Sequence, residues 1–119
     1  MSCVDIVWLK KRKDYLRTQS GRKWRSPSFI LTMRAREASE KVGDHFSRFG
    51  CTVTKRIGNA VRRNRVKRRL REAIRMVAPS NAQAGFDYVI IARAAALDAP
   101  FGDMVEELRT ALQRVHANP

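Results

Sequence analysis

Between residues 55 and 75 ten lysines and arginines stand against a single acid, in a run that reads Lys55-Arg56-Ile57-Gly58-Asn59-Ala60-Val61-Arg62-Arg63-Asn64-Arg65-Val66-Lys67-Arg68-Arg69-Leu70-Arg71. Guanidinium groups at this density suit the bidentate gripping of phosphate oxygens, with stacking on bases as a second use of the same planar group. A solvated charged face is the blander reading of a charge run. Ten like charges with one acid, however, repel one another unless a counter-anion sits among them. A second cluster, residues 10 to 25, holds eight basic residues and one acid, whereas residues 76 to 119 hold three and five. The excess is thus confined to two patches, and a polyanion is expected to dock on one side.

Residues able to cut a bond are not grouped. A self-sufficient nuclease needs clustered carboxylates for metal ions, or a histidine-based acid and base. Asp87 falls at a strand start, Asp98 in a loop, and Asp103, Glu106 and Glu107 on an acidic helix, where dipole compensation or solubility explains them. His45 reads as a loop residue and His116 as a frayed end, both on the surface. Cys3 and Cys51 are too few for a disulfide framework, and they share no short paired spacing with the histidines of the kind zinc needs. The expectation is no catalytic residue and no metal site in the protein itself.

The elements that must position the basic run can be read from periodicity. Gly58-Asn59 opens a long helix with Asn59 as its N-cap. Val66, Leu70, Ala73, Ile74 and Val77 form its apolar stripe, with Asn64, Lys67, Arg68, Arg71 and Arg75 opposite. Ala78-Pro79 is expected to end it near Val77, because a residue before proline avoids the helical region. Arg62, Arg63 and Arg65 crowd its N-terminus, the wrong end of the dipole for cations by about 0.3 to 1 kcal/mol per charge. Phosphates at that terminus would reverse the sign, since free N–H groups and guanidinium forks both donate to them.

Ahead of this helix, Lys11 to Ser20 reads as a short helix, and Ser28 to Arg34 as a strand with Phe29, Leu31 and Met33 on one face. Residues 35 to 47 read as a loop with a Gly43-Asp44 turn, and Arg48 to Lys55 as a second strand with Phe49, Cys51 and Val53 inward. These two strands are expected to pair antiparallel. Phe86 to Arg93 is a continuous apolar run suited to a central strand, with Tyr88, like Phe29, in packing. After Pro100, Phe101, Met104, Val105, Leu108, Leu112 and Val115 recur at helical spacing.

The fold class expected is α+β, an α/β sandwich with one small mixed sheet of about four strands and three helices. The order is αβββαβα, with the basic helix in a β-α-β crossover. At 119 residues, 44% hydrophobic and 30% charged, the chain fits one domain, with ends at about 1–8 and 116–119 expected to be flexible. The net charge of +14 and pI near 11.2 point to a nucleic acid partner, and without RNA they argue against a protein homo-oligomer. No apolar stretch is long enough for a membrane span, and no secretory signal is evident, so a cytoplasmic location is expected.

Lys55 to Val61, followed by Arg63-Asn64-Arg65-Val66-Lys67-Arg68, resembles the signature of the bacterial ribonuclease P protein subunit. The likeness extends to Leu9-Lys10-Lys11-Arg12, Asp14-Tyr15, Phe29 to Leu31, Gly50 and Asp87 to Arg93, roughly residues 8 to 115. It implies a protein component of ribonuclease P, an endoribonuclease that removes the 5′ leader of precursor transfer RNA. Catalysis would lie on the RNA subunit and depend on Mg2+ held in the RNA-containing holoenzyme.

By the same resemblance, Lys55, Arg56, Asn59, Arg62, Arg63, Asn64, Arg65, Lys67, Arg68 and Arg71 would face the catalytic RNA. Lys11, Arg12, Tyr15, Arg17, Thr52 and Thr54 would take the leader in a cleft between the first helix and the sheet. A left-handed crossover through the basic helix is also implied, against the right-handed rule. Gln19 and Thr32 stand where some family members carry further aromatics, so stacking on leader bases is expected to be weaker here. Trp8 is atypical for its position, and Trp24 suits either stacking on RNA or covering a core edge. A general RNA-binding module would explain the charge equally well, but not the specific Gly58 to Arg68 string.

Overall fold

The structure, a computed structural model, describes residues 4–36 and 46–117. Cys3, the Gly43-Asp44 turn and His45 lie outside the described residues. The elements run β1 (Asp5–Trp8), α1 (Arg12–Thr18), β2 (Arg22–Arg25), β3 (Phe29–Ala35), β4 (Phe46–Thr52), α2 (Ala60–Asn81), β5 (Phe86–Ala92) and α3 (Phe101–Val115). Short 3-10 turns at Lys55–Ile57 and Ala94–Leu97 precede α2 and α3.

The strands form one mixed five-stranded sheet in the order β1-β4-β5-β3-β2. From α1 onward the element order is the expected one, and the fold class is α+β with three helices. One correction is β1: Asp5–Trp8, expected in a flexible end, pairs parallel with Phe46 to Phe49. A four-residue edge strand carries too little alternation to be read before its partner is known.

A second correction concerns pairing. β3 and β4 do not pair with each other, because β5 lies between them, antiparallel to β3 and parallel to β4. The apolar run of β5 explains this: Tyr88, Val89 and Ile90 are all buried, and a strand apolar on both faces gains most from the sheet centre.

The sheet has two unlike faces. Phe29, Leu31, Phe49, Tyr88 and Ile90 face α2 and α3, whose Val66, Leu70, Ile74, Met104, Leu108 and Leu112 complete the core. The stripe expected on α2 is buried in full. Among the described residues, α1 is the helix that packs on the opposite face, against β3 and β5.

α2 runs on to Asn81, past the expected stop, with Pro79 in its last turn. A proline there forfeits one backbone bond, to the carbonyl of exposed Arg75 where water can replace it. Burial of Val77 and Ala78 holds the turn, and Asn81 Nδ2 donates to the Val77 carbonyl at 2.9 Å. Val4 N–H donates to the Pro79 carbonyl at 2.8 Å, tying the start of β1 to the end of α2.

His116 is half-buried, not a free surface residue. Its ring stands edge-on to Phe86 at 4.7 Å, and Nε2 lies 2.5 Å from the Tyr88 hydroxyl, which also accepts from Gln83 N–H at 3.0 Å. Burial, then the nearby Arg22, lowers the His116 pKa, so the neutral ring is favoured. Glu107 likewise has more than a solubility role: its carboxylate accepts from Ser28 N–H and from the Ser28 hydroxyl, both at 2.8 Å.

Candidate nucleic-acid interface

The α2 N-terminus is built by two residues ahead of it. Gly58 has φ +145°, a conformation L side chains rarely adopt, and it swings the chain from the Lys55–Ile57 turn into the helix. Asn59 then caps α2, its Oδ1 accepting from Arg62 N–H at 3.0 Å. The Asn59 side chain is thereby committed to the fold.

With the apolar stripe turned inward, Arg62, Asn64, Arg65, Arg68 and Arg71 are exposed on α2, and Lys55 and Arg56 on the turn before it. Lys67 and Arg63 are half-buried. At about 100° per residue, Lys67, Asn64 and Arg71 fall on one flank, Arg68 opposite the stripe, and Arg62 and Arg65 on the other flank; Lys67 and Arg71 are the ones whose charges reach Cys51 of β4. Arg69 is spent on structure, donating to the carbonyls of Ala96 at 3.1 Å, Leu97 at 3.4 Å and Ala99.

On the far face of the sheet, α1 lays Tyr15 directly on Gly50. A Cβ built on Gly50 would stand 2.5 Å from the Tyr15 ring, so this contact needs glycine. The phenol donates to the Leu9 carbonyl at 3.3 Å, and the Thr18 hydroxyl donates to the Tyr15 carbonyl at 2.8 Å.

A cavity of about 430 Å³ opens here, lined by Lys10, Arg12, Tyr15, Leu16, Gln19 and Thr52. A smaller one of about 160 Å³ continues beneath it past Thr32, Val89 and Ile91. Arg12, Tyr15 and Thr52 therefore line one cleft. Thr54 is exposed just beyond the end of β4. Lys11 and Arg17 do not join them, lining instead a separate cavity of about 400 Å³ on the other side of α1, with Asp14 and Arg48. Thr32 is buried, its hydroxyl bonded to that of Thr18 at 2.8 Å.

Cleft and basic helix meet at the sheet edge. β1 pairs with β4 only as far as Phe49, and among the described residues no strand flanks Cys51 and Thr52 on that side. Burial pushes the Cys51 thiol up to about 11, opposed by the nearby charges of Arg71 and Lys67. Burial likewise raises Tyr15, and Arg71 again acts in the opposite sense. Thiol and phenol are both protonated at neutral pH, and the cations of α2 are felt on the α1 side.

Sequence reasoning missed the buried ion cluster at Asp87, which is no helix-dipole or surface carboxylate. Its side chain has no exposed surface. Arg48 grips it through two bonds of 2.8 and 2.6 Å, Arg36 lies at 3.1 Å and Arg34 at 3.4 Å. Arg48 also reaches Asp14 of α1 at 3.6 Å. Arg34 and Arg48 are the cross-strand neighbours of Asp87, a signal that appears only once the strand order is known. Trp24 packs against the core edge beside α3, lining a cavity with Pro27, Glu106 and Glu107. That placement favours its packing role. Among the described residues no group of three or more His, Cys, Asp or Glu side chains could hold a metal ion.

A small mixed sheet with α2 and α3 on one face, α1 on the other and exposed cations along α2 defines an α+β protein with a strongly basic helix surface. The family model for ribonuclease P matches residues 7–116, and the chain belongs to that family, the protein components of an endonuclease that matures transfer RNA 5′ ends. The ribonuclease P protein component of Paramagnetospirillum magneticum is 44% identical over 92% of this chain and 82% of its own length. That of Brucella melitensis is 48% identical over 87% and 75%. The solved ribonuclease P protein of Staphylococcus aureus superposes with a TM-score of 0.74 at 29% identity, covering 92% of this chain and 94% of that one. The Thermotoga maritima protein gives 0.76 at 28%, covering 93% and 99%. No described helix is long and apolar enough to cross a membrane.

Proposed function

We propose that this chain binds the catalytic RNA of ribonuclease P and the 5′ leader of precursor transfer RNA, and so assists removal of the leader. Lys55, Arg56, Arg62, Arg63, Asn64, Arg65, Lys67, Arg68 and Arg71 contact the RNA subunit, with Asn59 shaping the turn that presents them. Arg12, Tyr15 and Thr52 take the leader in the cleft, with Thr54 at its rim. Lys11 and Arg17 add positive field from the far side of α1. The chemistry resides on the RNA, which supplies the Mg2+ site in the cytoplasmic holoenzyme; Asp87, tied to three arginines, is no candidate ligand.

The observation that carries this reading is the continuity of the exposed cations of α2 with the Tyr15 cleft across the bare edge of β4. Phosphodiester backbone can be gripped on one side while unpaired bases lie against the other. The test is binding to a bacterial ribonuclease P RNA across a salt series. Replacing Arg65 and Arg68 with Ala is expected to weaken binding and flatten the dependence on log salt by roughly one per lost phosphate contact. An unchanged slope in that variant would remove α2 from the interface.

A further inference from the structure

Trp8 ends β1 with its side chain turned, like that of Ile6, toward the helical face of the sheet. α2 crosses there and presents Arg71 and Arg75, one turn apart on a single flank. Their guanidinium carbons lie 5.5 and 5.7 Å from the Trp8 ring centroid. One indole thus organises two cations. An aromatic face holds a guanidinium without neutralising it and leaves its N–H edges free to donate.

The protein supplies little to balance this charge. Arg71 makes no ion pair among the described residues, and Arg75 has only Glu72 at 3.4 Å, with both side chains more than half exposed. Like charges at this spacing repel each other on a helix, whereas an anion between them would be gripped from both sides. The two residues are separated by about 6 Å along the helix axis, within reach of a single phosphate for two long side chains. Covering the core edge would need only an aliphatic side chain. It would not need an aromatic ring under two guanidiniums.

We propose that Trp8, Arg71 and Arg75 form a preorganised clamp for a backbone phosphate of the ribonuclease P RNA, at the opposite end of the α2 basic face from Gly58. Trp8 acts here as a positioning residue and Arg75 as an added contact. The inference rests on the RNA-binding reading of α2 given above.

Binding of a bacterial ribonuclease P RNA to the full chain tests it, with Arg65 and Arg68 replaced by Ala as the reference variant. Arg75→Gln is expected to weaken binding severalfold and reduce the salt slope by about one. Trp8→Ala, which removes no charge, should weaken it about fivefold, while Trp8→Phe stays within about twofold. In a Trp24→Phe background Trp8 is the remaining indole, and its fluorescence should change as the RNA is titrated in. That change should disappear when Arg71 and Arg75 are both Gln.

Wild-type affinity for Arg75→Gln and for Trp8→Ala, with no fluorescence change, would overturn the clamp. If the reference variant is weakened in the same assay, the helix reading survives. If the reference variant is also unaffected, the helix reading falls with the clamp. A loss confined to leader-bearing precursor transfer RNA bound by the holoenzyme would overturn the assignment to the RNA subunit. Arg75→Gln, at an exposed side chain, keeps the test decisive even if Trp8→Ala fails to fold.

Discussion

A carboxylate with no exposed surface and guanidiniums from three strand and loop positions around it is held by charge balance as much as by packing. Asp87→Asn keeps the shape and removes the charge. Breaking a buried pair in this way typically costs about 3–5 kcal/mol, which urea denaturation would read directly. Arg48 would also lose the anchor from which it reaches Asp14, so α1 should loosen first, visible as faster amide exchange in Arg12–Thr18.

His116 offers a pH test at the same scale. Its folded pKa is lowered, so the unfolded chain binds more protons over the window below the ordinary value of 6.5. The stability from the neutral ring is fully present above about 6.5 and is lost as pH falls toward the lowered folded value. His116→Gln, which does not titrate, should show a flatter stability profile below about pH 6.5. An equal slope in the two proteins would mean that the contact with Tyr88 does not depend on the neutral imidazole.

At the scale of elements, what could be read without coordinates was whatever repeats within one element. The α2 stripe, the Asn59 cap, the central β5 and the α3 amphipathicity are all local patterns, and the structure contains each of them. Features that depend on distant partners were not legible. Asp5–Trp8 is a strand because β4 lies beside it, Pro79 stays helical because the core holds Val77 and Ala78, and Asp87 is paired because β3 and β4 flank it.

The candidate site divides in the same way. The α2 cations were visible as a charge run, whereas the split of Lys11 and Arg17 from Tyr15, and the ring of Trp8 under Arg71 and Arg75, needed the third dimension. Gly50 turns this into a prediction. Gly50→Ala must displace Tyr15, and should lower the preference for leader-bearing over mature transfer RNA several-fold while leaving RNA-subunit assembly intact. Equal discrimination in that variant would show that Tyr15 does not meet the leader.

On the whole-molecule scale, charge and shape agree. The net +14 is concentrated on α2 and around α1, while the last helix has three acids against two arginines, so the field is polarised along the chain. Association with RNA should therefore be fast and steeply salt-dependent. The most direct measurement is single-turnover cleavage of a precursor transfer RNA at low magnesium, with a bacterial ribonuclease P RNA alone, with this protein alone, and with both. The mixture is expected to cleave much faster than the RNA alone, and the protein alone is expected not to cleave. Cleavage by the protein alone, or a mixture no faster than the RNA, would contradict that expectation.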